Sequence, residues 1–542
     1  MHNTKISSYF KNNINRIIFS VYFCIIIGTH LFLQFLSPLK ESAIFVIIFF
    51  VMLIVIFIIL YKLTPFLFKT IRKITLSPQN STKQKQIKVF FISLLVCFLV
   101  LITWFLAFKP GCFSADSISQ YRQALTGNYN DWHPVIHTLL FFTIPLSIFH
   151  TAAAIIIIQL FLFAIVLSYS ATIIYKYAGK KWYIITLTLV LTNPFVFNEL
   201  LFPWKDVAFA IFALLSYTIT LEIYKTRGNW CNNTLHIIML ATILSFTTLF
   251  RHNGILFTLP LVLFLFFFTQ RKQWIKLFSL FLAIIFIIKV PLYSILNVQP
   301  PDRRTEETAG LPLTILSNIA KETPERLDEE TSSFLYRIAP AEKYQNNYIT
   351  GSFNSIKWSG INSEVIDETG LAQILKMTAK SVITSPEPSL AAFIKLTQVV
   401  YGIEGEVSDK VIPYDSSNDE YDIHFSGNRT LNALATFYTN TYSDSIFKYL
   451  SYTGFTILAI LLFILANNNW HKQGWKKILL CTPILFYDFG TMLLLTGPES
   501  RFFFVNLIIY PIIIILSLSS PNSLRKTKTK NNTKNTKINK SF

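Results

Sequence analysis

The stretch SAIFVIIFFVMLIVIFIILY, residues 42–61, runs for twenty residues without a charge. Twenty helical residues rise about 30 Å, the thickness of a bilayer's hydrocarbon core. Around it, the chain of 542 residues is 52% hydrophobic and 14% charged, with 51 Phe. A single soluble core cannot bury that much apolar surface, so the composition defines an α-helical polytopic membrane protein.

About twelve spans are expected, at 15–37, 42–61, 89–108, 151–174, 182–199, 207–224, 234–250, 255–269, 277–296, 447–466, 478–496 and 502–519. No small-residue cleavage site follows the first, which reads as a retained span. The segment PVIHTLLFFTIPLSIFH, 134–150, is apolar but short and broken by Pro145. If it crosses, every later loop changes side. If it is re-entrant or interfacial, the Lys and Arg of the connecting loops face the cytoplasm. Only six (Lys40, Lys109, Arg122, Lys205, Arg251, Arg501) then fall in short outer loops, the distribution the positive-inside rule favours.

Both termini are then cytoplasmic and the chain divides in four: a transmembrane module at 1–296 with an outer loop at 109–133, an extracytoplasmic domain at 297–446, transmembrane helices at 447–519, and a disordered basic tail at 520–542. The 297–446 segment holds 21 of the 29 acids, which places it in water. It reads as mixed α/β or α-rich, with a helix-like PERLDEETSSFLYRIA at 324–339 and loops near Asp415 to Arg429. The net charge of +19 lies in loops and tail as orientation signals do, which argues against nucleic acid as a partner. Cys24, Cys97, Cys112, Cys231 and Cys481 form neither a CxxC spacing nor a disulfide framework. No internal repeat suggests a transporter of two related halves.

On this topology every chemically notable motif faces outward. In KPGCFSADSISQYRQALTGNYNDWHPVIH, 109–137, Ser114 is placed to cap a short helix from Asp116 to Leu125. Asp116 there either helps cap the helix or serves as general base toward an acceptor hydroxyl. Asp131, Trp132 and His133 read as an interfacial anchor or as part of a site. Asp116 with Asp131 is the one pair of acids that could hold Mg or Mn, although no DxD spacing supports it. Lys205, Arg251 and Arg501 each occupy a short outer turn, near Trp204, His252, Asn253 and Glu499. Charge placed against the membrane's preference is functional by default, and Arg and Lys suit phosphate oxygens. Asp206 and Glu499 are expected to orient these cations. Asp488 and Lys289 lie within spans, where a structural role such as a mutual ion pair is the favoured reading.

The motifs SADSISQY (114–121), WHPVIHTLLF (132–141), PWKD (203–206) and GPESRFF (497–503) resemble the GT-C superfamily of integral-membrane glycosyltransferases. The pattern YNDWHP, KD and RHNG also resembles a family of uncharacterised bacterial membrane proteins of the DUF6020 kind, over roughly residues 100–510. The GT-C likeness implies that a sugar moves from a polyprenyl-phosphate donor to a glycan or glycolipid acceptor outside a bacterial plasma membrane. It makes Asp116 and His133 the catalytic pair. Tyr121, Asp131, Trp132, Lys205, Asp206, Arg251, His252, Asn253, Glu499 and Arg501 become the substrate-binding set, in contact with membrane lipid. The sequence has WHPVIH where HPPL is usual. Two alternatives share these features: a lipid-linked glycan polymerase or ligase, and a lipid-linked glycan flippase or transporter.

Overall fold

The computed structural model describes residues 2–34, 43–79, 81–301, 304–403, 417–468 and 474–520. Asp415 and the expected tail beyond Ser520 lie outside these residues. The described chain is helical, and its only β pairings are three isolated bridges.

Helices α1 (His2–Gln34) and α2 (Ala43–Arg72) form a peripheral hairpin. Ile47, Phe50, Val51 and Ile54 of α2 remain exposed, as on a helix that faces lipid. Next come α3 (Lys83–Ala107) and α4 (Ala115–Thr126), then α5 (Val135–Phe149), whose middle, Thr138–Thr143, is π-helical. Beyond it lie α6 (Ala152–Ala178) and the bent pair α7 (Lys180–Leu191) and α8 (Pro194–Leu200). Helices α9 (Lys205–Lys225), α10 (Thr234–Leu249), α11 (Ile255–Leu265) and α12 (Arg271–Ile295) complete the first module.

The polar domain contains α13 (Gly310–Glu322), α14 (Glu329–Ile338), α15 (Glu364–Thr384), α16 (Pro386–Tyr401) and α17 (Arg429–Asp444). It is therefore α-rich and not mixed α/β among the described residues, with its own core around Leu313, Leu335, Tyr344, Phe353 and Ile366. Asp328 caps α14 by accepting from Thr331 N at 2.7 Å, so the helix expected across 324–339 starts one turn late. Helices α18 (Thr453–Asn467), α19 (Gly474–Cys481), α20 (Pro483–Met492) and α21 (Phe504–Leu518) close the bundle, with α9 and α21 at its centre.

Twelve spans of near 20 residues are not what forms. Among the described residues seven helices are long and apolar enough to cross a membrane, or eight if the pair bent by 62° at Thr192–Asn193 is one span. Pro194 and Pro483 each start a new helix inside an expected span, because proline lacks the N–H that would continue the preceding one. The segments expected at 234–250, 255–269 and 447–466 form shorter apolar helices.

Two contacts fix the path of the awkward segment 134–150. Ser77 N and Gln79 N donate to Ala178 O and Lys176 O, each at 3.1 Å, at one end of the α3–α6 pair. At the other end Gly111 lies directly against Ile156. The chain thus enters α5 from His133 at the Gly111 end and leaves it for α6 at that same end. Fifteen residues of helix rise only about 22 Å, too little for a bilayer core of about 30 Å. Helix α5 turns back without traversing the bundle.

Some of the polar groups inside the bundle are matched. Lys176 and Tyr177 reach Glu222 at 2.9 and 3.0 Å, and Asn506 Nδ2 donates to Asp488 Oδ1 at 2.7 Å. Lys289 pairs with Asp131 and not with Asp488, because it sits at the site end of α12 while Asp488 is enclosed between α20 and α21. No disulfide joins any of the five cysteines.

Candidate active site

Ser114 is the N-cap of α4, its Oγ accepting from Ser117 N at 3.4 Å, and Gly127 closes the helix in the left-handed region at φ 71°. Ser114 Oγ also accepts from Trp204 Nε1 at 2.8 Å, tying the first loop to the start of α9. Capping is therefore done by Ser114, and the Asp116 carboxylate is free to reach elsewhere. Its Oδ2 accepts from Arg501 Nη1 at 2.9 Å, and Arg501 Nε donates to Glu499 Oε2 at 2.8 Å. The guanidinium lies 4.9 Å over the Trp204 ring. Both carboxylates remain about one-third exposed.

The buried His133 ring sits beside this pair, with Lys205 Nζ donating to its Nδ1 at 3.4 Å. Lys205 has no carboxylate within 4 Å among the described residues, alone among the cations predicted for the site. Arg251 is buried, ion-paired to Asp206, and donates through Nε to Asn253 Oδ1 at 2.9 Å. Asn253 in turn donates to Thr491 Oγ1 at 2.7 Å. Asp206 and Glu499 thus hold the two arginines, as their positions predict.

Electrostatics here are dominated by the close cations. Burial alone would raise the Asp116 carboxyl, but Arg501, then His133 and Lys205, outweigh it and hold the group well below the usual carboxylate range. His133 is pushed down to about 3 by burial and by the neighbouring Lys205 ammonium, so its imidazole is neutral near pH 7.

Three predicted residues form a neighbouring group. Asp131 accepts from Lys289 at 2.9 Å and from Tyr293 OH at 2.8 Å. The Trp132 ring faces Lys357 Nζ at 5.8 Å. His252 hydrogen-bonds the Trp132 backbone and stands within electrostatic reach of both Lys205 and Asp131, between the two groups. Tyr121 is apart: its ring packs on Phe113 and Tyr421. Asp116 and Asp131 hold different cations, and no group of three His, Cys, Asp or Glu among the described residues is arranged to hold a metal. The donor set does not fit Mg or Mn.

Sequence reasoning missed Glu199 and Asn354. Glu199 is buried, interacts with Arg501 and Glu499, and has an unpartnered Oε2. An acid within the apolar stretch 182–199 was the signal for it. Asn354 donates to Glu499 Oε1 at 3.2 Å and no local pattern announces it.

Fold and site together define a multi-pass helical membrane protein with a charged cluster at one end of its bundle. Residues 151–368 match a family of unknown function, DUF6020. The match takes in Lys205, Asp206 and the RHNG turn, but not Asp116, His133 or Arg501. No curated protein and no solved structure matches the chain.

Proposed function

We propose that the protein is a GT-C-type glycosyltransferase of a bacterial plasma membrane, using a polyprenyl-phosphate sugar and an envelope glycan or glycolipid acceptor. The observation that carries this reading is the Asp116–Arg501 ion pair, 385 residues apart in sequence, beside a Lys205 ammonium that has no carboxylate within 4 Å among the described residues. A donor phosphate has its recognition chemistry there, in Lys205 with Arg501 and Arg251, and a carboxylate stands next to it.

In the reaction, the acceptor hydroxyl oxygen bonds to the anomeric carbon as the bond from that carbon to the phosphate oxygen breaks. The phosphate leaves with the electron pair, stabilised by the three cations, and the hydroxyl proton passes to Asp116. Arg501 restrains Asp116 in the empty site. A phosphate that draws the guanidinium toward itself restores basicity to the carboxylate only when donor is bound. Neutral His133 orients Lys205 without adding charge.

In this proposal the cluster faces outward and both termini are cytoplasmic, on the distribution of Lys and Arg among the loops, and contacts gather the helices at two ends of the bundle. Arg72 to Ala466, Lys225 to Ser520 and Lys477 to Ser517 mark one end. Asn253 to Thr491 and Asp131 to Lys289 mark the other.

The test is the sugar composition of envelope polymers from a null strain complemented at equal protein level. Wild type restores the missing sugar, whereas Asp116→Asn and Arg501→Ala lower its incorporation at least 100-fold, the scale of losing a transition-state charge contact. An unchanged null envelope sinks the proposal. A change in polymer length at constant composition points to the polymerase or ligase alternative.

A further inference from the structure

Helix α4 has two differently occupied faces. Gln120 and Gln123 point into the protein, where Gln120 Oε1 meets His137 Nδ1 at 2.7 Å and Gln123 Oε1 accepts from Asn130 N at 3.0 Å. The opposite face, Ala115, Ile118, Ser119 and Arg122, follows the i, i+3, i+4, i+7 spacing of one helical side. It lines an open cavity of about 510 Å³, with Ser417 and Asn418 among the other described residues of its wall.

The chemistry of this lining is selective. Its one cation among the described residues is already neutralised, since Arg122 donates from Nε to Tyr421 OH at 2.8 Å and from Nη2 to Glu420 at 3.1 Å. What remains is neutral and hydrogen-bonding. The Ser119 hydroxyl makes no hydrogen bond among the described residues. Asn418 Oδ1 accepts from Tyr421 N at 3.2 Å, which leaves its NH₂ group to the cavity. Phe113 and Ile118 supply apolar wall. Among the described residues of the lining no unneutralised charge remains, so nothing there selects an anionic headgroup or a charged peptide. A ring that is apolar on its faces and hydroxylated at its edges is matched on both counts.

The position is as informative as the lining. Asp116 follows Ala115 and lies three residues before Ser119, so its Cβ stands about 5–6 Å from that of Ser119 on the helix surface. Its side chain is 32% exposed, at the rim between the cavity and Arg501. Accordingly, we infer that this cavity is a subsite for a neutral saccharide whose hydroxyl is presented to Asp116. The inference rests on the proposed transferase reading and gives it an acceptor class: an uncharged sugar unit, held by its rings and hydroxyls and not by charge.

The experiment is saturation-transfer NMR on the full chain in nanodiscs with a panel of neutral methyl hexosides and methyl pentosides, alongside a ³¹P titration with a short isoprenyl phosphate. At least one glycoside shows transfer. Ser119→Trp, which fills the cavity, abolishes it, and Ser119→Ala weakens it roughly threefold to tenfold while the thermal melt stays at the wild-type value. Asp116→Asn keeps glycoside binding. If no glycoside binds, or if Ser119→Trp binds as wild type does, the subsite is overturned. Phosphate binding without glycoside binding removes the subsite and leaves the transferase reading, and glycoside binding without phosphate binding does the reverse.

Discussion

At the scale of single residues, His133 makes an acid-sensitivity prediction. In the folded chain it is pushed down to about 3, whereas an unfolded His titrates near 6.5. Between those values the unfolded state takes up a proton that the folded state refuses, so His133 lowers stability as pH falls below about 6.5. His133→Gln removes that loss. Over the two units from pH 6.5 to 4.5 the variant is expected to lose up to about 2.7 kcal/mol less stability than wild type, read as a smaller fall in melting temperature. Equal falls refute it. Asp116 has the opposite linkage: its depressed carboxyl stabilises the fold above the unfolded value of about 3.9 and loses that only as pH drops through the lower folded value. Residues of this kind were readable because each broke a local rule. Lys205, Arg251 and Arg501 are cations on a face that topology keeps poor in cations. Which acid each cation holds was not readable, because Asp116 to Arg501 and Asp131 to Lys289 are set by packing between remote helices.

Among elements, the helical content, the capping of α4 by Ser114 and the turning back of α5 follow from local chemistry, in hydroxyl position and segment length. The broken helices α7–α8 and α19–α20 do not, since hydropathy averages over Pro194 and Pro483. The path of α5 can be tested in a cysteine-free background. A membrane-impermeant maleimide is expected to label Asn128→Cys and His150→Cys from the same side, and labelling from opposite sides means that α5 crosses. The seam between α3 and α6 gives a second prediction. Gly111 has φ +111° and lies against Ile156, so Gly111→Ala adds both backbone strain and a clash, about 1–3 kcal/mol. The melting temperature falls, and combining Gly111→Ala with Ile156→Ala costs less than the sum of the two single changes, because the clash is shared between them. Strict additivity contradicts the clash.

For the whole molecule, the question is what seats the polar domain on the bundle. Lys357 is buried, ion-paired with Glu306 at 3.2 Å and with Glu307, and its ammonium lies between the rings of Trp132 and Trp358 at 5.8 and 4.7 Å. Gly454 of α18 meets the Tyr401 and Gly402 carbonyls at the end of α16, with no room for a side chain. Breaking one partner of a buried pair costs about 3–5 kcal/mol, so Lys357→Met is expected to expose residues 304–403 to limited proteolysis while the spans stay protected. Glu306→Gln added to Lys357→Met recovers part of the protection, and wild-type resistance in the single variant refutes the role of the pair. The acidity of 297–446 foretold a domain in water. The ion pair beneath Trp132 was hidden, because Lys357 and Glu306 are fifty-one residues apart with no pattern linking them. The separation of Asp116 from Arg501, 385 residues, sets a timetable for biosynthesis. At about 5–20 residues per second the ribosome takes roughly 20–80 s to deliver the partner. Through that interval a nascent chain carries an unmatched carboxylate at the membrane edge. The cluster therefore matures last, when α21 is inserted, and a polypeptide stalled before Arg501 would display to the quality-control machinery an acid that no arginine has yet claimed.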